Sequence, residues 1–206
     1  MCGRFIDPNL RNSEVDMSQI KINPIPRRFN VKPTNDVMIF TAPDEFQWAR
    51  WGLIPTWFKG DDPKEWKAAT FNARIEEAKD KPSFRGAWRY GRCIIPAGGF
   101  YEWSGPKNAR RPNFFSSAGN EANLYFAGLW TEWKDIRTCT IMTRAAADAM
   151  AGIHDRMPVI LAPEEREAWR GGSEDFNLGA GSALKVWPVR RFGLLDDGPE
   201  LIEAAD

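Results

Sequence analysis

Cys2 directly follows the initiator methionine. A small second residue generally permits removal of that methionine, and the chain would then begin with a free 1,2-aminothiol. The amine of such a group condenses with an aldehyde to an imine, and the thiol then closes on the imine carbon to give a five-membered thiazolidine. An α-amine has a reference pKa of about 7.7–8.0 and a cysteine thiol of about 8.5, so the expectation is that both nucleophiles work near neutrality without large shifts. Taken alone, a cysteine here is far more often an incidental residue at a chain terminus.

Five other positions could serve such chemistry. The single histidine, His154, lies in Gly152-Ile153-His154-Asp155-Arg156-Met157-Pro158, among charged residues just before an apolar run. That placement suits a general acid at the start of a strand, with Asp155 able to tune it. Glu102 stands in Gly98-Gly99-Phe100-Tyr101-Glu102-Trp103, an aromatic strand in which a carboxyl is suited to moving protons. Asn72, in Phe71-Asn72-Ala73-Arg74, can position an amine by hydrogen bonding, although asparagine is also ordinary at a strand end. Gly3 allows close backbone approach, and Arg4 can hold an anion beside Cys2. One histidine and scattered cysteines at 2, 93 and 139 do not supply a zinc ligand set, so no metal and no cofactor are expected.

Lys+Arg and Asp+Glu both number 28, so no global positive field advertises a nucleic-acid partner, and any such binding must use a local patch. Arginine makes up 18 of the basic residues, which suits bidentate phosphate contacts and surface ion pairs alike. The 10 tryptophans serve either as core or as stacking platforms for unpaired bases. Odd, widely spaced cysteines fit a reducing cytoplasm, and neither a membrane-spanning run nor a signal peptide is expected.

The elements that must position these residues are mostly short strands. Val37–Phe40, Phe46–Trp51, Arg92–Pro96, Asn123–Trp130, Thr138–Thr143, Pro158–Leu161 and Leu184–Val189 are rich in β-branched and aromatic residues and bounded by turn formers. Helices are expected near Ser83–Tyr90, near Ala145–Ala151, and after Pro163, where Glu164 and Glu165 favour a first turn. Ser104–Pro112 reads as a hairpin loop, Gly179–Ser182 as a short turn and Asp196–Asp206 as a frayed acidic tail. Many strands with few crossover helices predict an α+β, β-rich single domain over residues 1–206, its largely antiparallel sheet curled towards a barrel.

Six ordered blocks span nearly the whole chain: MCGRF at the start, RFNVKPT at Arg28–Thr34, WGLIPTW at Trp51–Trp57, FNARIE at Phe71–Glu76, CIIPAGGFYEW at Cys93–Trp103 and IHDRMPVIL at Ile153–Leu161. Together they closely resemble the SOS response-associated peptidase (SRAP) family. The resemblance implies a β-rich domain whose mature N-terminal cysteine forms a thiazolidine with the ring-opened sugar of an abasic site in single-stranded DNA. Carried over by motif, Cys2 is the nucleophile, Asn72 orients its α-amine, Glu102 handles protons during ring closure, and His154 assists sugar-ring opening and reversal. Arg74 resembles the family's phosphate ligand. Arg4, Arg85, Thr143 and Arg156 match positions along the DNA path, and Trp57 with Phe58 matches the aromatic element that props open the strand near a junction.

The family name also implies a peptidase activity in which the same cysteine removes the residue before it. Lys32, where a small residue is commoner, and Arg190-Arg191-Phe192, in place of a Ser/Asn-containing ending, depart from the family pattern. Two rival activities are a cysteine peptidase acting on other proteins and a noncovalent single-strand-binding module using arginine and tryptophan alone. A monomer is expected, because one protein suffices per lesion and no coiled-coil pattern is present.

Overall fold

In the computed structural model, residues 2–10, 26–43, 45–106, 108–175 and 183–205 are described. Alternation of side chains along the strands builds the fold. β2 (Asp36–Ala42), β3 (Glu45–Trp51), β5 (Arg92–Ala97), β8 (Leu124–Trp133) and β9 (Ile136–Ala145) form a ring in the order β9-β3-β2-β5-β8, closed because β8 also pairs with β9. Closure removes the free edges that an open sheet of this composition would expose. Every pairing in the ring is antiparallel except β3 with β9.

Val37, Ile39, Cys93, Ile95, Leu124, Phe126, Cys139 and Ile141 point into the barrel, and the residues between them, including Met38, Ile94, Tyr125 and Met142, point outward. Gly128 is required on the inner side: a Cβ there would lie 2.9 Å from Cys93 Sγ. The outer face is covered by α1 (Arg85–Tyr90) and α2 (Pro163–Arg170), whose Trp88 and Trp169 meet edge to face at 5.7 Å. The expected helix after Pro163 is present, and Glu165 Oε2 accepts from the Ala162 N–H at its start.

A second antiparallel sheet, in the order β1-β6-β7-β11, comprises β1 (Arg4–Ile6), β6 (Gly99–Ser104), β7 (Arg111–Ser117) and β11 (Leu184–Pro188). Its inner side chains Phe5, Phe100 and Phe115 join the barrel's interior core, with Phe5 packed on Trp51 at 5.0 Å. The outer side chains Ile6, Tyr101 and Phe114 form a separate cluster with Val189 and Leu201. Two short strands extend the barrel: β4 (Asn72–Arg74), parallel to β9, and β10 (Arg156–Pro158), antiparallel to it.

The α+β, β-rich architecture with a curled sheet is therefore present, with several local differences. The acidic end is packed rather than frayed: Leu201 is buried, Trp187 Nε1 donates to Ile202 O at 2.9 Å, and Ala204 bridges to Val189. The exposed outer face of the second sheet needs an apolar cover, and this segment supplies it. The family departures serve the same contact, since Phe192 packs on Tyr101 at 4.8 Å and Lys32 Nζ donates to Leu194 O at 2.7 Å. Instead of a helix over Ala145–Ala151, β9 continues through Ala145 and only a 3₁₀ turn forms at Asp148–Met150, because β10 pairs with the end of β9. β10 starts earlier than the apolar run suggested, and β7 begins at Arg111, inside the stretch read as loop. The turn expected at Gly179–Ser182 lies outside the described residues.

Candidate active site

Cys2 lies at the inner end of β1, fully buried in the core shared by the two sheets. β1 is held by β6 in the register Arg4↔Tyr101, Phe5↔Phe100, and by a bridge from Phe5 to Val31 of the RFNVKPT block. Glu102 is two residues from Phe100 and therefore shares its inward face, where it is buried close to Cys2. The Cys2 thiol is pushed well above the ordinary cysteine range, chiefly by burial and then by the charge of Glu102; Sγ donates to the Arg4 carbonyl at 3.7 Å, which also favours the protonated thiol. The expectation of a thiolate available near neutrality is thus corrected. In this setting the thiol keeps its proton.

Asn72 is brought to Cys2 by a chain of contacts that begins with Trp51. The buried Trp51 ring donates through Nε1 to Phe71 O at 2.7 Å, which fixes the strand immediately before Asn72. From β4, Asn72 Nδ2 donates to Cys2 O at 2.8 Å in a buried hydrogen bond, while its Oδ1 has no partner among the described residues. An amide committed on one side only is poised to accept from a donor arriving beside Cys2.

The remaining residues gather around the end of β9. Thr143 is completely buried, donates from Oγ1 to Ala73 O at 3.3 Å, and its carbonyl accepts from Ile75 N at 2.9 Å and from Arg156 Nη2 at 2.8 Å. It ties β4, β9 and β10 together and is not open to a ligand. The Arg156 guanidinium makes a two-pronged ion pair with Glu76, through Nη1–Oε1 and Nη2–Oε2 at 3.0 Å. Arg74, by contrast, pairs through one nitrogen with Glu77 at 2.9 Å, and its side chain is 53% exposed against 11% for Arg156. Of the two guanidinium groups, that of Arg74 is the one open to solvent.

His154 is held by the chain that follows it. Its Nδ1 accepts the Arg156 N–H at 2.9 Å and also lies 2.9 Å from Asp155 Oδ1. One nitrogen cannot accept from an amide and donate to a carboxylate at once, so the two contacts belong to different protonation states. An Nδ1 that accepts from the amide leaves the ring proton to Nε2. The loop is anchored by Met150, buried in the same core as Cys2, and by Ala146 N–H to Asp155 O at 2.9 Å.

Trp57, Phe58 and Arg85 stand apart from this group. Trp57 is 49% exposed but tethered by Nε1 to Pro82 O at 3.1 Å, and Phe58 packs on Trp66 and Trp133. Trp57, Arg85, Tyr90 and Trp130 help line a cavity of about 440 Å³. Arg4 is half-buried, with Nη1 donating to Gly3 O at 2.9 Å. Glu76 was not singled out from the sequence; its signal there is a carboxylate two residues after Arg74, directly beyond a strand end.

A buried Cys2 held by Asn72 and adjoined by Glu102 unites three of the sequence blocks, and residues 1–188 match the family described as SOS response associated peptidase (SRAP). The chain belongs to the SRAP family. Among SRAP relatives, it is 35% identical over 182 residues to Abasic site processing protein YoaM of Bacillus subtilis (strain 168), covering 82% of this chain and 78% of that protein. It is 28% identical over 228 residues to Abasic site processing protein YedK of Escherichia coli (strain K12), covering 98% and 99% respectively. The SRAP fold described above also superimposes on a crystal structure from Bacteroides thetaiotaomicron with a TM-score of 0.78 and 26% identity, covering 95% of this chain and 93% of that one.

Proposed function

We propose that this SRAP chain processes abasic sites in single-stranded DNA by capturing the lesion aldehyde on Cys2 after Met1 is removed. The observation that carries this reading is the buried Cys2 held by Asn72 with Glu102 beside its thiol. The freed amine attacks C1′ of the ring-opened sugar, and water leaves as the imine forms. Asn72 Oδ1 accepts from the amine and orients its lone pair. The thiol then adds across the C=N bond, its proton passing through Glu102 to the former imine nitrogen, so that the ring closes without net charge. His154, as the Nε2–H tautomer, donates to the sugar oxygen during ring opening. Closure removes the imine before β-elimination can break the strand.

Recognition rests on space and phosphate together. Arg74, with Arg4 and Arg85, docks backbone phosphates, and a base-free sugar needs less room beside the buried Cys2 than an intact nucleotide would. Removal of Met1 by the same cysteine is part of this proposal.

The test is a denaturing gel after incubation with an abasic oligonucleotide. A shifted covalent band that survives heating without borohydride is expected, and Cys2→Ala should lose it. Salt-sensitive retention with no covalent band would instead mean a noncovalent binding module, and cleavage of a peptide panel would mean a peptidase.

A further inference from the structure

We propose that Glu76 is a positioning residue that acts on His154 through Arg156; this rests on the capture reading above. Asn72 and Glu76 belong to one segment, β4 and the turn after it, whereas His154 and Arg156 belong to another, 80 residues away in sequence. Both segments pair with β9, which sets their backbones but leaves the side chains beyond β4 and at the start of β10 to be fixed by contacts of their own. The Glu76–Arg156 fork does this. Both guanidinium Nη atoms engage the carboxylate, Nη2 also reaches Thr143 O, and the same residue's backbone N–H holds His154 Nδ1.

The geometry distinguishes a fork from a simple surface pair. Arg156 is largely buried while Glu76 is half-exposed, so the carboxylate caps a guanidinium already committed to Thr143. A planar, two-pronged contact fixes the orientation as well as the distance of its partners. Arg156 opens β10, so loss of the fork would leave that strand end without its side-chain anchor and loosen the backbone N–H that holds Nδ1. The proton donor for ring opening would then be misplaced, although Cys2, Asn72 and Glu102 would stay as they are.

The experiment measures single-turnover capture by the mature full-length protein of two oligonucleotides. One carries a natural abasic site, mostly a closed hemiacetal, and the other carries an acyclic aldehyde with no ring to open. Glu76→Ala should slow capture of the natural lesion about ten- to hundredfold, since general acid catalysis is worth at least that much. It should leave capture of the acyclic aldehyde within about twofold of wild type, with affinity for undamaged single strands unchanged or higher. Glu76→Gln, which retains the shape and one hydrogen bond, should fall between and guards against loss of folding in the alanine variant. Equal rates for wild type and both variants on the natural lesion would overturn the assignment. So would equal slowing on both substrates, which indicates general damage to the site. If the wild-type protein forms no adduct with either oligonucleotide, the capture reading itself fails.

Discussion

The side-chain amide of Asn72 donates to the carbonyl of Cys2 at 2.8 Å, although 70 residues separate them. This bond ties Cys2 to β4. Leaving the buried carbonyl unpaired costs about 1–3 kcal/mol. Asn72→Ala should therefore slow adduct formation by about tenfold or more while the variant remains folded. Time-resolved gels read the rate; wild-type speed in the variant would remove Asn72 from the mechanism.

Burial raises the thiols of Cys2, Cys93 and Cys139 above the ordinary cysteine range. At pH 8 the native protein should react with iodoacetamide at least about tenfold more slowly than a free thiol of pKa about 8.5, and all three sites should react quickly once unfolded. The sign for stability follows from linkage: a thiol whose folded pKa is raised stays neutral in the fold while the unfolded chain ionises. The melting temperature should thus fall as the pH climbs past about 8.5. Mass spectrometry of alkylated peptides and melts across pH 7–10 check both, and rapid labelling of native Cys2 at pH 7 contradicts the described burial.

The Glu76 carboxyl is held below the usual range, first by its hydrogen bonds from Arg156. A depressed folded pKa gives stability that is present above the unfolded value of about 4.3 and is lost as pH falls below it. Glu76→Gln should flatten the loss of melting temperature between pH 5 and pH 3 compared with wild type. Because Glu76 is half-exposed, the difference should be small, on the order of a degree or two. Parallel acid limbs in the two proteins would count against the ion pair.

Arg74 is the exposed cation beside the site, committed to one bond with Glu77. Arg74→Ala should weaken binding to single strands of any sequence and lower the slope of log affinity against log salt by about 0.7, the loss of one phosphate contact. Fluorescence anisotropy at several salt concentrations measures it. An unchanged slope would move the phosphate contact elsewhere.

Leu201 is completely buried against the outer face of the second sheet. Leu201→Ala should cost about 2–5 kcal/mol and lower the melting temperature by roughly 5–15 °C. Calorimetry would show no shift if the C-terminal segment were frayed.

Local pattern carries much of this molecule. Strands such as Val37–Phe40 and Thr138–Thr143 are readable because inward and outward residues alternate where both faces are covered. β1, β4 and β7 are harder, since two are three residues long and the third opens within a polar stretch. Their pairing comes from partners distant in sequence. The acidic terminus illustrates the same point: Asp196, Asp197 and Glu200 look solvated along the chain, yet Phe192 before them and Leu201 after them pack in one cluster with Tyr101.

By itself, the sequence determined which chemical groups are present and the ordered blocks that make this an SRAP chain, because motif identity is a property of the linear order of residues. Only the tertiary structure decided how those groups behave. It buried the Cys2 thiol beside Glu102, closed Thr143 off as a tie between strands, and gave Arg156 to Glu76 while leaving Arg74 exposed. Charge state and hydrogen-bond partner depend on what lies within a few ångströms in space, and those neighbours are supplied by segments 70 or 80 residues apart.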